Sequence, residues 1–168
     1  MPGFPLGPGI INFTYMSKLP NGGIWIDCKQ LVPHLIEIQN HLPNKYRILF
    51  GDRMIDEYVN MVVSFPMAYL QKDEILTYAA DGVEYEVVLK GLKINRVDEF
   101  RGHFEAFKFL IQVIFEEHLL DNWSKEKIQH KHDVMTMFIA KIDKGLTQWR
   151  NTLGRQVSVS KRNMNSPD

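Results

Sequence analysis

The residues best suited to chemistry in this sequence are cations, and many of them fall on one predicted helix near the C-terminal end. A helical wheel over 124–155 groups a polar stripe that contains no acidic residue: Lys141, Lys144, Gln148, Asn151 and Arg155. Arg150 lies between this stripe and the apolar face, and Lys161 and Arg162 follow in the tail. Such a stripe can follow a phosphate backbone by charge alone, without reading sequence. The alternative is a solvated helix face whose cations complement the helix dipole.

A second basic group, Lys45, Arg47 and Arg53, lies at the start of another predicted helix. Positive side chains at a helix N-terminus oppose the dipole, which hints at a use outside the helix. Nearby acidic residues offer salt bridges instead: Asp52, Asp56 and Glu57. The nine candidate nucleic-acid contacts are the cations alone: these three, the four on the last helix and the two in the tail.

Catalytic and metal-binding patterns are poor by comparison. His130 and His132 are two residues apart, so on a helix they point to different sides and make a weak metal pair. Cys28 has no local signature of a thiol nucleophile, and no glycine-rich phosphate loop, nucleophile elbow or zinc-protease motif occurs. We therefore expect no enzyme activity, no catalytic residues, no metal and no cofactor. An enzyme stays open only through groups that converge from distant positions.

Composition fits a single globular domain. The chain has 168 residues, of which 45% are hydrophobic and 24% charged. No run approaches the roughly 18 to 20 apolar residues that span a bilayer, and the N-terminus lacks the features of a secretory signal. Because a lone cysteine suits a reducing compartment, we expect a cytoplasmic protein. Because no apolar run is long enough to span a bilayer, we expect no membrane partner.

Charge is unevenly distributed although the formal total is +0. Residues 1–53 carry a net charge of +2, residues 54–122 carry −7, and residues 123–168 carry +5 with nine basic and four acidic residues. The basic last third permits a polyanion partner, and the acidic middle equally permits charge-matched self-association. A mixed, solvated surface is the third possibility.

Three segments are predicted along the chain. Residues 1–26 form a Gly- and Pro-rich arm, 27–154 a helical bundle, and 155–168 a basic, flexible tail. In the arm, strands at 10–16 and 23–26 could pair as a hairpin. Alternatively the arm is disordered until a partner or second subunit covers it.

Apolar spacing of three and four predicts the helices. The first runs from Val32–Pro33 to Leu42, with proline in its first turn. The second runs from Tyr46 to about Leu70, with Pro66 expected to kink or stop it. A third covers 97–120, and a fourth runs from the N-cap Ser124 to about Leu153, with Gly154 after its end.

The segment 72–94 has two interpretations. Asp81-Gly82 between alternating residues fits a hairpin, with Leu76 and Tyr78 on the same face. Spacing of four, three and four also fits a helix that tolerates Gly82, and we take this second interpretation. The predicted fold is therefore all-α: an antiparallel bundle of four, or up to five, helices, with a small N-terminal hairpin or arm.

Two stretches resemble a known family of four-helix bundles. The sequence LPNKYRILFGDR at 42–53 resembles the start of the second helix in the accessory variability determinant (Avd) proteins of diversity-generating retroelements and the proteins encoded in ribosomal RNA intervening sequences. The sequence AKIDKGLTQW at 140–149 is similar to the closing helix of that family.

The resemblance implies a homo-oligomeric ring, five-fold in the Avd proteins, that binds nucleic acid and a reverse transcriptase and does no chemistry itself. The positions that match the family's basic residues are Lys45, Arg47, Arg53, Lys141, Lys144 and Arg150. Our first hypothesis is such a nucleic-acid-binding accessory. The second is an oligomeric interaction or assembly module without nucleic-acid binding.

Overall fold

The described part of the chain consists of four antiparallel helices and a small sheet. The computed structural model describes residues 22–156 and the backbone of 158–163. Helix α1 is Gly22–His41, and α3 and α4 are Gly91–Glu116 and Lys125–Arg155. Helix α2 joins Asn44–Tyr46, a π-helical turn Arg47–Gly51 and Asp52–Leu70. The strands are β1 (Glu74–Ala80), β2 (Val83–Leu89) and β3 (Ser158–Asn163).

Side-chain contacts show that α2 runs antiparallel to both α1 and α3. The Tyr58 hydroxyl donates to the Cys28 carbonyl at 2.7 Å, and the Gln39 amide donates to Asp52 at 3.0 Å. From the first contact to the second, residue numbers rise along α1 and fall along α2. The same reversal appears in the ring contacts between α2 and α3, Phe65–Phe100 and Tyr58–Phe107.

Helix α4 closes the bundle by packing antiparallel to α1 and α3. Ile24 of α1 contacts Gly145, while Glu37, further along α1, bonds to Lys131. Against α3, the contacts are Asp98–Arg150 at one end and Phe115–His132 at the other. The helices are therefore arranged up and down in sequence order.

The core lies between the four helices and is rich in aromatic residues. Phe65, Phe100, Phe104 and Phe107 are fully buried, and each such side chain stabilises the fold by roughly 1.5–3 kcal/mol through burial. The apolar face of α4, opposite the polar stripe, faces this core and contributes the following buried residues: Met135, Ile142, Leu146, Trp149 and Leu153. Phe138 of the same face is half-buried.

The first helix begins ten residues earlier than the sequence analysis expects. The predicted strand at 23–26 is wrong, because these residues form the first turns of α1. Ile24 and Cys28 extend the apolar face that continues through Leu31, and burying this face holds the extra turns in place. Pro33 consequently lies inside the helix and not in its first turn. The strand predicted at 10–16 falls outside the described residues.

The segment after α2 is a hairpin and not a helix, so the all-α prediction is wrong at this point. Strands β1 and β2 pair from Glu74 with Leu89 to Ala80 with Val83. Asp81 and Gly82 both have positive φ, 55° and 73°, which an α-helix does not accommodate and a type I′ turn requires. The hairpin interpretation is confirmed, and Tyr78 stacks on Tyr85 as its register demands.

Part of the predicted flexible tail is a third strand. Residues 158–163 pair antiparallel with β2, which gives the sheet the order β1-β2-β3. In the backbone register Val159 pairs with Val87 and Arg162 pairs with Glu84.

Two helix ends and one proline bear on the predicted helix bounds. Ser124 caps α4 and accepts a hydrogen bond from the Lys127 amide at 3.2 Å, as predicted. Helix α4 includes Gly154 and ends at Arg155, so Gly154 is not the residue after the helix. Pro66 does not stop α2, which continues to Leu70.

Candidate nucleic-acid interface

The polar stripe of α4 is on the outside of the bundle. Its five members are all exposed: Lys141, Lys144, Gln148, Asn151 and Arg155. The opposite side of the helix is held in the core by Trp149 and its neighbours. The rotation of α4 is thereby fixed, and the cations are presented to solvent.

Two of these cations border a groove between α4 and the first turns of α1. The groove has a volume of about 390 Å³ and is lined by Gly23, Ile24, Asp27, Lys141, Lys144, Gly145 and Gln148. Gly145 allows the two helices to approach, because a Cβ at this position would lie 2.9 Å from Ile24 Cγ1. The groove is polar and has two lysines on one wall.

Asp27 is the acidic member of the groove. Partial burial raises the pKa of its carboxyl, and the positive charge of Lys141 opposes that rise. Lys141 Nζ also lies 5.5 Å from the centre of the Phe138 ring. Lys144 has no ion pair with any described residue. The charge of Lys141 is therefore partly balanced, whereas that of Lys144 is available to an external anion.

The two arginines of α4 differ in their surroundings. Arg150 Nε donates to Asp98 Oδ1 at 2.9 Å, which links α4 to α3. Arg155 is exposed at the last position of the helix and makes no ion pair within the described part of the chain. Arg155 is the freer of the two to contact a phosphate.

In the basic group at the start of α2, Arg47 is hydrogen-bonded within the fold. Arg47 donates to the carbonyl oxygens of Gln39 at 3.1 Å, Asn40 at 2.9 Å and Leu42 at 3.3 Å. These are carbonyls at the end of α1 that lack helical partners, so Arg47 caps α1 and its charge suits the helix dipole. Its guanidinium is occupied by this structural role.

Lys45 and Arg53 flank Arg47 and are exposed. Lys45 Nζ lies 4.5 Å from the centre of the Tyr46 ring. Arg53 makes no hydrogen bond or ion pair with a described residue. Both side chains can reach an external partner.

The two basic groups lie at opposite ends of α1. Arg47 contacts the end of this helix, whereas Lys144 lies beside its first turn. At 1.5 Å per residue the 20-residue helix separates them by about 30 Å. The structure therefore does not combine them into one site. Lys161 and Arg162 belong to β3, at the edge of the sheet.

An ion cluster that the sequence analysis did not predict joins α1 to α4 away from the groove. Glu37 accepts from Lys131 at 2.5 Å and from Lys127 at 3.0 Å, and these bonds lower the pKa of its carboxyl to about 2. Lys131, only 8% exposed, also lies 2.9 Å from His34 Nδ1. Burial, and then Lys131, lowers the pKa of His34.

Among the described residues, no group of three or more His, Cys, Asp or Glu side chains could hold a metal ion. Cys28 is buried, and burial raises the pKa of its thiol to about 12, so the thiol stays protonated near neutral pH. His130 and His132 do not converge with acidic residues into such a group.

Sequence reasoning missed Asp27 and Gly145 as parts of the groove. Asp27 could be found only by extending the apolar spacing of α1 upstream of Leu31, through Cys28 and Ile24. Gly145 within a long helical pattern was a signal of close packing.

No family model, no curated protein sequence and no solved structure matches this chain. None of the described helices combines the length and apolar character required to cross a bilayer.

Proposed function

We propose that this chain is a non-catalytic accessory protein that binds RNA or DNA through the outer face of α4 and partners a reverse transcriptase. The observation that carries the proposal is the exposed row from Lys141 through Lys144 to Arg155, rigidly mounted on a packed helix. The partner enzyme and the cytoplasmic setting follow from the family resemblance and the composition. The proposed accessory function requires no catalytic group and no cofactor.

Geometry supports backbone binding and not base recognition. Residues 141 to 155 extend over about 21 Å of helix, a length in which one strand of B-DNA carries about six phosphates. Flexible lysines and an arginine at intervals along this length can follow phosphates of any sequence. Asp27 lowers the net charge at one end, so Lys144 and Arg155 are the stronger contacts.

The same proposal includes a homo-oligomer, five-fold by resemblance. Support comes from the outward face of α2, where a second copy can pack. Four large apolar side chains on this face are about half exposed and recur at helical spacing: Val59, Val63, Met67 and Leu70. Repetition of the subunit would also repeat the α4 cations, which multiplies weak phosphate contacts.

This apolar face also favours the second candidate, an assembly module without nucleic-acid binding. Such a module would keep the α2 contacts and leave α4 as a solvated surface. The two candidates differ in one measurable property, the affinity for a polyanion at low salt.

The test compares two double variants with the same change of charge. Lys141→Glu with Lys144→Glu alters the groove, whereas Lys72→Glu with Lys125→Glu alters two exposed lysines outside the stripe. We expect the first variant to lose binding to labelled single-stranded RNA and DNA, and the control to lose much less. Equal losses would mean that only total charge matters, and no binding by the unchanged chain would leave the assembly module as the function.

A further inference from the structure

The sheet extends away from the helical bundle. No pair of a described strand and a helix packs extensively, and all seven residues of β1 are exposed. Asp73 and Lys90 form an ion pair where the hairpin meets α2 and α3. A small sheet without a covering helix gains little from core burial, so its remaining apolar surface is available to a partner.

Strand β1 is an edge of this sheet within the described residues. Its seven residues, EILTYAA, contain one charge and no proline, and the pairing with β2 is free of bulges. Ile75, Leu76 and Tyr78 are 59%, 56% and 52% exposed. Edge strands of monomers are usually protected by lysines, prolines or bulges, and β1 has none of these.

The sequence of β1 is compatible with pairing to itself. In an antiparallel pair centred on Thr77, Leu76 lies opposite the partner's Tyr78 and Ile75 lies opposite the partner's Ala79. Glu74 lies opposite the partner's Ala80, so no like charges meet within the strand. On the far side of β2, the sequence of β3 includes Lys161 and Arg162, and lysine is typical of strands that avoid edge pairing.

We propose that two copies of this chain pair along β1 and form one continuous six-stranded antiparallel sheet. With the two-fold axis at Thr77, Leu76 of each copy lies directly opposite Tyr78 of the other. Directly opposed residues project from the same face of a sheet, so Leu76 and Tyr78 of both copies lie on one face. The apolar row of β1 and β2 is thereby doubled. This contact is distinct from the α2 face and does not depend on nucleic-acid binding.

Cross-linking tests the proposed pair directly. The only native cysteine, Cys28, is buried, so Thr77→Cys supplies the sole accessible thiol. We expect the full-length variant to form a disulfide-linked dimer at least about tenfold faster than Thr136→Cys, an exposed control on α4, because pairing raises the effective thiol concentration. Equal rates would overturn the proposal.

Introducing a charge at Thr77 distinguishes a loss of pairing between copies from a loss of folding. In its own hairpin Thr77 is opposite Glu86, so Thr77→Lys favours the hairpin while placing two lysines together in the dimer. We expect Thr77→Lys and Thr77→Glu each to lower the assembly mass, and an equimolar mixture to restore it. An unchanged mass for Thr77→Lys, or a mixture that does not recover, would contradict pairing along β1.

Discussion

Arg47 of α2 donates from Nη2 to the carbonyl of Asn40 at 2.9 Å, across the turn that joins α1 to α2. With the bonds to Gln39 and Leu42, one guanidinium satisfies three carbonyls at the end of α1. Arg47, the first of the two arginines in the LPNKYRILFGDR stretch, is therefore explained by folding.

Replacing Arg47 with methionine should destabilise the fold. Hydrogen bonds from a charged donor contribute roughly 1.5–3 kcal/mol, and the carbonyls of α1 would lose their partner. We expect a loss of about this size in urea unfolding monitored by circular dichroism. Arg53→Met removes the same charge from an exposed side chain without a described partner and should change stability little. Equal effects of the two substitutions would rule out the capping role.

Gly145→Ala should also destabilise, because its Cβ would lie 2.9 Å from Ile24 Cγ1. Overpacking of this kind costs about 1–3 kcal/mol unless α1 shifts. Gly102→Ala on α3 meets nothing within 4 Å and should stabilise by about 0.5–1 kcal/mol through helix propensity. Thermal melting should give a lower Tm for Gly145→Ala and a higher Tm for Gly102→Ala. A higher Tm for both would show that α1 and α4 are not in close contact.

Glu37 should make stability depend on acid pH. Its folded-state pKa, about 2, lies below the ordinary value of 4.5, so its contribution is complete above pH 4.5 and lost as pH falls toward 2. Glu37→Gln should therefore be less stable than the unchanged chain near neutral pH, with the difference shrinking through this window. Glu126→Gln, an exposed position on α4, is the matched control for urea unfolding at each pH. A difference independent of pH would exclude the bonds to Lys131 and Lys127 as its cause.

Gly82→Ala distinguishes the hairpin from the helix that spacing also allowed. Alanine at φ 73° in the turn should cost about 1–2 kcal/mol, whereas alanine in a helix interior would stabilise by about 1 kcal/mol. Hydrogen exchange should show faster exchange in β1 and β2 of this variant. Gly91→Ala, at the start of α3, has open space for its Cβ and should leave that exchange unchanged. Slower exchange in Gly82→Ala would contradict the turn.

Local patterns in the sequence predict the long helices but not the contacts between distant segments. Helix α4 was predictable because its apolar residues recur over 31 residues and Ser124 marks its start. The start of α1 was missed because Gly22, Gly23 and the preceding proline suggest a turn locally. Burial of Ile24 against α4, a contact between residues 121 positions apart, decides the outcome instead.

The sheet shows the same limit. Asp81-Gly82 was a strong local turn signal, yet the four-three-four spacing of apolar residues also fitted a helix. The positive φ angles of these two residues decide between hairpin and helix. Strand β3 depends on pairing with β2, about 75 residues earlier, which tail composition does not reveal. The α4 cations were predictable as a surface, but the occupation of Arg47 by α1 carbonyls was not.

The salt dependence of binding tests the central claim most directly. Fluorescence anisotropy with a labelled single strand, repeated across salt concentrations, gives the slope of log K against log salt. We predict a steep negative slope for the unchanged chain, and one shallower by about 1.4 for Lys141→Glu with Lys144→Glu, since each lost phosphate contact removes about 0.7. Identical slopes for the two proteins, or no binding at low salt, would contradict a nucleic-acid interface on α4.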